Sequence, residues 1–191
     1  MAAGYSLVEL IFVLGLVATL SGVAIPEMLA ALDDFRATGA ARYVAARLQR
    51  ARMEAVMRSA EVTVKFMRTP AGYAFAVYVD GNRNGVRSAD VANGIDRLLS
   101  GPERLTDNFR EVDFGTFDGL PPVDAGAPAP GNDPIRIGVS DMATFTAKGT
   151  SSAGSLYIRS RRTQYVIRIF GATGKTRLLK FDVRSHQWKP I

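Results

Sequence analysis

The sequence predicts an α+β fold in which one long N-terminal helix packs against an antiparallel β-sheet domain. Three observations support this fold class. Residues 5–25 form an apolar run, residues 37–55 carry an alanine-rich stripe at helical spacing, and apolar and polar residues alternate from Glu61 onward. At 191 residues, the chain has room for one such helix and one domain that buries its own core.

The apolar run is long enough to cross a bilayer, yet it contains one acid. From Tyr5 to Ile25 there are 21 residues, and Glu9 is the single charge. As a helix this run is about 32 Å long, against about 30 Å for a bilayer core. An acid inside such a run costs about 2.5–3.5 kcal/mol on insertion scales. We therefore predict a specific use for Glu9.

The residues that open this run form a recognisable motif. Gly4 is followed by the aromatic Tyr5, the small polar Ser6, aliphatic residues, and Glu9 at the fifth position after the glycine. This motif resembles the class III signal of type IV prepilins and pseudopilins. The resemblance implies cleavage by prepilin peptidase after Gly4, N-methylation of Tyr5, and pairing of Glu9 with the N-terminal amine of a neighbouring subunit. Tyr5 stands where the family usually has phenylalanine, and the leader, residues 1–4, lacks Lys and Arg.

Two other interpretations of the N-terminus are a secretory signal and a plain membrane anchor. A secretory signal has a positive n-region and a shorter apolar core, whereas here the uncharged run over residues 10–25 spans 16 residues. We favour the prepilin interpretation. It divides the chain into residues 1–4 as leader peptide, 5–25 as transmembrane and assembly helix, 26–60 as its continuation, and 61–191 as the β-rich domain.

The continuation of the helix begins at Pro26, where we expect a kink because proline removes one helical hydrogen bond. Beyond it, apolar residues recur at steps of three and four up to about Ser59. They are Ala37, Ala41, Val44, Leu48, Ala51 and Ala55. In the resulting arrangement, one half of the helix lies in lipid or in a filament core, and the other half packs under a β-domain. This arrangement resembles the lollipop shape of pilins.

Strands are predicted next. Residues 62–66 alternate apolar and polar, residues 69–72 form a turn, and residues 73–79 give a second strand of a hairpin. Residues 80–85, Asp-Gly-Asn-Arg-Asn-Gly, match the opening of an EF-hand loop, but the twelfth position is Val91 rather than glutamate. The alternatives are a calcium loop and a polar β-turn. We favour the turn and assign no metal ligand.

The C-terminal third returns to regular structure after an irregular stretch in which residues 120–134 hold five of the nine prolines. Residues 95–99 are a short strand candidate. Residues 145–158, 164–170 and 176–181 form an antiparallel meander of three strands, and the tail around His186 is expected to fray. This part resembles the C-terminal half of the GspH/FimT group of minor pilins. The resemblance includes their Gly-basic-x-Arg turn, here residues 174–177.

The charge distribution separates this third from the rest of the chain. Residues 148–191 contain ten Lys or Arg and one acid, giving +9, whereas residues 1–147 sum to −3. The asymmetry indicates an anionic partner. The chain has no cysteine and a single histidine, so thiol nucleophiles and thiolate metal sites are excluded. We find no catalytic motif, expect no enzyme activity, and assign no cofactor.

The basic residues next to hairpin ends are the candidate ligand site, because several could converge at one sheet edge and bind phosphates. They are Arg159, Arg161, Arg162, Lys175, Arg177 and Lys180. Some FimT-type pilins bind DNA through the Gly-basic-x-Arg turn, so the resemblance singles out Lys175 and Arg177. The alternative is a solvated basic face, or one that meets acidic neighbours in a filament.

Taken together, these features favour a minor pilin or pseudopilin of the GspH/FimT group. It would be a structural subunit at or near the tip of a type II secretion pseudopilus or a type IV pilus. Its expected partners are other pilin subunits, prepilin peptidase and the bacterial inner membrane, with the domain in the periplasm. The first alternative is a DNA receptor for natural transformation, and the second is a plain anchored binding domain.

Overall fold

A computed structural model of the chain describes Gly4 and residues 6–138 and 140–191. Its first element is the helix α1, Leu7–Arg58, which continues through Pro26 as one helix. Ser6 caps its N-terminus, and Ser59 ends it in the left-handed conformation. The predicted end of the helix near Ser59 is therefore confirmed.

The other elements are short helices and antiparallel strands. They are β1 (Val62–Thr69), β2 (Gly72–Val79), α2 (Ser88–Ala92), β3 (Arg97–Arg104), α3 (Leu105–Asn108), β4 (Asp113–Phe114), β5 (Ile135–Arg136), β6 (Met142–Phe145), β7 (Gly154–Arg159), β8 (Gln164–Ile169), β9 (Thr176–Asp182) and β10 (Gln187–Pro190). The predicted β1–β2 hairpin and the β7–β8–β9 meander are both confirmed.

These strands form two sheets rather than one. Sheet A has the order β3-β2-β1-β6, and sheet B has the order β10-β9-β8-β7-β4, with β5 pairing with β7. The outermost strands β3 and β10 each contain a proline, Pro102 and Pro190. The strand predicted at residues 95–99 begins two residues later and extends to Arg104.

The alanine-rich stripe of α1 forms the centre of the core. All six of its predicted residues are buried, and Ala37, Ala41, Leu48 and Ala55 have no exposed surface. Small side chains let the helix approach both sheets closely, so residues from β1, β2, β7 and β8 join the same core. The stripe thus fixes which face of α1 meets the domain.

The proline-rich segment 120–134 has no strand or helix, as predicted, but it is packed. Leu120 joins Tyr157, Val166 and Leu179 in a second apolar cluster on the outer face of sheet B. The indole Nε1 of Trp188 donates a hydrogen bond to the Pro121 carbonyl at 3.0 Å. This segment therefore covers a face of the sheet that would otherwise expose apolar side chains.

The C-terminal tail corrects one prediction. Instead of fraying, residues 187–190 form β10, which pairs with β9 through Trp188 and Phe181. His186 lies in the turn before it, with its ring 5.3 Å from the ring of Phe181. The pairing was missed because four residues that include a proline carry too little periodicity to predict a strand.

The loop at residues 80–85 is the predicted polar turn. Asp80 accepts hydrogen bonds from the backbone N–H groups of Asn82, Arg83 and Gly85 at 2.8–3.1 Å. The buried Asp96 accepts from the N–H groups of Gly81 and Arg87 at 3.1 and 3.0 Å. These carboxylates close the turn by satisfying its own backbone.

Candidate functional site

The N-terminal half of α1 is largely exposed, unlike the half that packs on the sheets. Its large apolar side chains from Leu7 to Leu29 are exposed, several by more than half. Within the described residues, α1 is the one helix that is long and apolar enough to cross a membrane. No residue of its most apolar stretch is buried. An exposed apolar face of this size indicates contact with lipid or with other helices.

Glu9 occupies the first turn of this half. The hydroxyl of Ser6 accepts a hydrogen bond from the Glu9 backbone N–H at 3.2 Å. Ser6 and Glu9 thus have the Ser-x-x-Glu spacing of a capping box, which the sequence analysis did not use although the pattern is visible there. A carboxylate here also faces the positive end of the helix dipole. Gly4 is exposed, and Tyr5 lies outside the described residues.

Contacts between α1 and sheet B define two ends of that sheet along the helix axis. Asp34 accepts a hydrogen bond from the Tyr165 hydroxyl at 2.8 Å, and Gln49 donates to the Gly174 carbonyl at 3.2 Å. The span from Asp34 to Gln49 is about 22 Å along the helix. We call the end near Asp34 the proximal end and the end near Gln49 the distal end. The β7–β8 turn, residues 160–163, is proximal, whereas the β8–β9 turn, residues 170–175, is distal.

The proximal end is held by acids from α1. Asp33 is 8% exposed and accepts from the Ser160 hydroxyl at 2.7 Å and from the N–H groups of Arg161 and Arg162 at 3.3 and 3.1 Å. This one carboxylate therefore fixes the whole β7–β8 turn. Such a charge-assisted set is stronger than hydrogen bonds between neutral groups.

A second acid, Asp34, organises an adjacent polar group. Its carboxylate pairs with Lys180 at 2.6 Å, and Thr38 shares a hydrogen bond of 2.7 Å with the Tyr165 hydroxyl. Burial raises the pKa of Tyr165. Burial lowers the pKa of Lys180, but the hydrogen bond to Asp34 and the neighbouring Tyr165 outweigh it, so that pKa is raised overall.

The distal end is fixed through its backbone. Gln49 donates to the Gly174 carbonyl and the Thr176 hydroxyl, both at 3.2 Å, and Arg52 donates to the Gly149 carbonyl at 3.0 Å. Gly174 has a φ of +61°, and a Cβ there would lie 2.5 Å from the Gly149 carbonyl oxygen. This turn therefore requires glycine both for its conformation and for space.

The side chains of the distal turn point to solvent. Lys175 and Arg177 are exposed, and within the described residues neither forms an ion pair. Lys148, next to Gly149 in the neighbouring turn, is exposed as well. Sequence reasoning did not include Lys148, because only the contact between the two turns brings it near Lys175.

The six predicted basic residues do not form one surface. Successive turns of an antiparallel meander lie at opposite ends, so Arg159, Arg161, Arg162 and Lys180 are proximal, and Lys175 and Arg177 are distal. At the proximal end Arg161 pairs with Glu111 at 2.6 Å, and Arg159 donates to the Thr116 carbonyl at 3.3 Å. Several of the six therefore lie together at the proximal end. Lys175 and Arg177, which the resemblance singled out, lie at the distal end.

This architecture agrees with a comparison against protein families. The model of the family described as type II transport protein GspH matches residues 40–173. The chain belongs to the GspH family. We found no significant match among curated proteins or among solved structures.

Membership of the GspH family establishes the class of this protein. It is a minor pseudopilin component, its family is structural rather than catalytic, and it assembles with other pseudopilin subunits. The α+β lollipop, with its long apolar helix on antiparallel sheets, is confirmed. The matched region begins inside α1 and ends just before Gly174, so the N-terminal signal and the Gly174–Arg177 turn lie outside it.

Proposed function

We propose that this GspH-family protein is inserted in the inner membrane through residues 5–25 and assembled at or near the tip of a type II secretion pseudopilus or type IV pilus. Prepilin peptidase cleaves after Gly4 and methylates Tyr5, and the domain lies in the periplasm. The observation that carries the proposal is α1 itself, one helix with an apolar exposed half and a half buried under the domain.

The assembly mechanism depends on the charge of Glu9. In lipid or in an apolar filament core, an unpaired carboxylate costs several kcal/mol, and a partner cation removes most of that cost. The free amine of a neighbouring processed subunit is such a partner. Because a shift of one residue moves Glu9 by about 1.5 Å, pairing favours one axial register between subunits.

The test compares two acids of the same helix. Glu9→Ala should abolish incorporation of this subunit into filaments that are assembled with its partner pseudopilins and quantified after shearing. Glu27→Ala, which removes an exposed carboxylate beyond the apolar run, is the matched control and should incorporate normally. Normal incorporation of Glu9→Ala would refute the role of Glu9.

The processing step is tested on protein isolated from the native host. Mass spectrometry should find a chain that begins at residue 5 and carries one added methyl group. A mature chain that retains Met1 would contradict cleavage after Gly4.

The second candidate function is DNA binding by the distal turn. It is favoured by the exposed side chains of Lys175 and Arg177 beside Lys148, which pair with no acid in the described part of the chain, on turns whose backbone is fixed by α1. Such an arrangement presents cations to phosphates without a large conformational cost on binding. Few aromatic side chains accompany these cations, so the expected ligand is the phosphate backbone of duplex DNA rather than stacked bases.

The DNA proposal is tested by titrating the detergent-solubilised chain with duplex DNA at several salt concentrations. Lys175→Ala with Arg177→Ala should weaken binding and flatten the slope of log K against log salt by about 1.8. Arg161→Ala with Arg162→Ala removes the same charge from the proximal end and should leave binding nearly unchanged. Undetectable binding at low salt, or equal effects of the two pairs, would refute the proposal.

A further inference from the structure

The proximal end of sheet B carries a second basic surface that faces away from the core. Arg162 and Arg184 are exposed and line one open groove with Val183. Within the described residues neither arginine forms an ion pair, and the side chain of Arg161 stays 72% exposed despite its pairing with Glu111. Val183 is 71% exposed at the tip of the β9–β10 turn. Cations around an exposed aliphatic side chain are typical of surfaces that bind membrane interfaces.

The position of this surface along α1 brings it close to the proposed membrane. Asp33, which holds the β7–β8 turn, lies eight residues after Ile25, a rise of about 12 Å. A headgroup layer extends about 5–7 Å beyond the hydrocarbon core. The turn therefore lies within about 5–7 Å of the headgroup surface, less than the Debye length of about 8 Å at physiological ionic strength.

The β9–β10 turn extends toward the same side. Lys180 is held at the level of Asp34, and Val183 follows three residues later, about 10 Å further along the strand direction. That direction is toward the N-terminus of α1, because β9 runs antiparallel to β8. Val183 and Arg184 are thus on the membrane-facing side of the domain.

We propose that Arg161, Arg162, Val183 and Arg184, the proximal surface, rest on anionic headgroups of the bilayer that anchors α1. The inference depends on the proposed insertion of residues 5–25. Each arginine near an anionic leaflet is attracted to it, and Val183 enters the apolar boundary below the headgroups. This contact fixes the tilt and rotation of the domain before the subunit leaves the membrane for a filament.

The test uses the full chain in lipid nanodiscs. Because the protein has no cysteine, Val183→Cys can carry a single environment-sensitive fluorophore, and Thr173→Cys at the exposed distal turn is the matched control. In discs that contain phosphatidylglycerol, spin-labelled headgroups should quench the label at position 183 several-fold more than the label at 173. In neutral phosphatidylcholine discs, and at high salt, quenching of the label at 183 should fall several-fold, whereas quenching of the label at 173 should change little.

Charge reversal provides the second arm. Arg162→Glu with Arg184→Glu should lower the ratio of docked to undocked domain by at least about tenfold in anionic discs. Lys175→Glu with Arg177→Glu makes the same charge change at the distal end and should leave that ratio unchanged. Circular dichroism of both variants checks that the domain remains folded.

Four results would overturn the proposal. In anionic discs, a label at 183 that is no more quenched than the label at 173 would refute the docking. Quenching at 183 that persists after proximal charge reversal would do the same. Neither result would refute the membrane anchor. A chain that does not enter the discs refutes the anchor and with it the docking. Binding of fluorescent duplex DNA that is lost in Arg162→Glu with Arg184→Glu, without lipid quenching, assigns the surface to nucleic acid instead.

Discussion

The proximal and distal ends of sheet B both present cations, but α1 holds them in different ways. At the proximal end, Asp33 accepts hydrogen bonds from the β7–β8 turn, and Asp34 pairs with Lys180 of β9. At the distal end, Gln49 and Arg52 donate to backbone carbonyls, and the side chains of Lys175 and Arg177 form no ion pair with the residues that the structure describes. The difference shows that each basic residue near a turn must be judged by its own neighbours, because Lys180 is paired with an acid of α1 whereas Arg162 at the same end is not.

The largest effect is expected from removing the proximal acid. Asp33→Ala leaves the Ser160 hydroxyl and the N–H groups of Arg161 and Arg162 without their acceptor in a buried site. We expect a loss of about 3 kcal/mol in the free energy of unfolding, measured by urea denaturation. The exposed Glu27→Ala should change it by less than about 0.5 kcal/mol. Equal stability of the two variants would show that the proximal turn is not held by Asp33.

A smaller effect is expected from the distal glycine. Gly174→Ala forces a positive φ on alanine and places its Cβ against the Gly149 carbonyl, so we expect a loss of about 2 kcal/mol. Gly126→Ala has a similar positive φ of +79° but no atom within 4 Å, and should cost only about 1 kcal/mol. Equal denaturation midpoints for the two variants would contradict the close packing of the distal turn.

The smallest effect is a dependence on alkaline pH. The pKa values of Lys180 and Tyr165 are raised in the folded state above their unfolded values near 10. At a pH between the unfolded and the folded pKa values, the native state therefore binds more protons than the unfolded state. Stability from these groups is complete below about pH 10 and is lost as pH rises further. Lys180→Met should reduce this alkaline loss by about 0.5 kcal/mol or less, because the pair is partly exposed. Lys175→Met, at the distal end, should leave the pH profile unchanged.

Local pattern predicted the main elements of the fold. The spacing of Ala37, Ala41 and Val44 predicted the buried face of α1, and alternation predicted the first strand of the β1–β2 hairpin. The split into two sheets and the strand β10 depend on which edges pair, and short edge strands carry little periodicity. Sequence alone therefore predicted the parts better than their arrangement.

The site was less predictable, for two physical reasons. The acids of α1 that hold the proximal end are separated from it by about 130 residues, as the contact of Asp33 with Ser160 shows, and no local signal links them. The division of the basic residues, in contrast, could have been deduced, because successive turns of a predicted meander must lie at opposite ends. The expectation that several of the six basic residues could converge at one edge did not say which ones, although this rule separates Arg161 from Lys175.

The prolines of the outermost strands β3 and β10 have a consequence for how copies of this subunit associate. Pro102 in β3 and Pro190 in β10 offer no N–H to an incoming strand, while the other edge strands, such as β6, span four residues or fewer. Open edges of this kind would otherwise expose copies of an assembling subunit to strand-to-strand aggregation. Blocked sheet edges therefore favour ordered association through other surfaces over amyloid-like association.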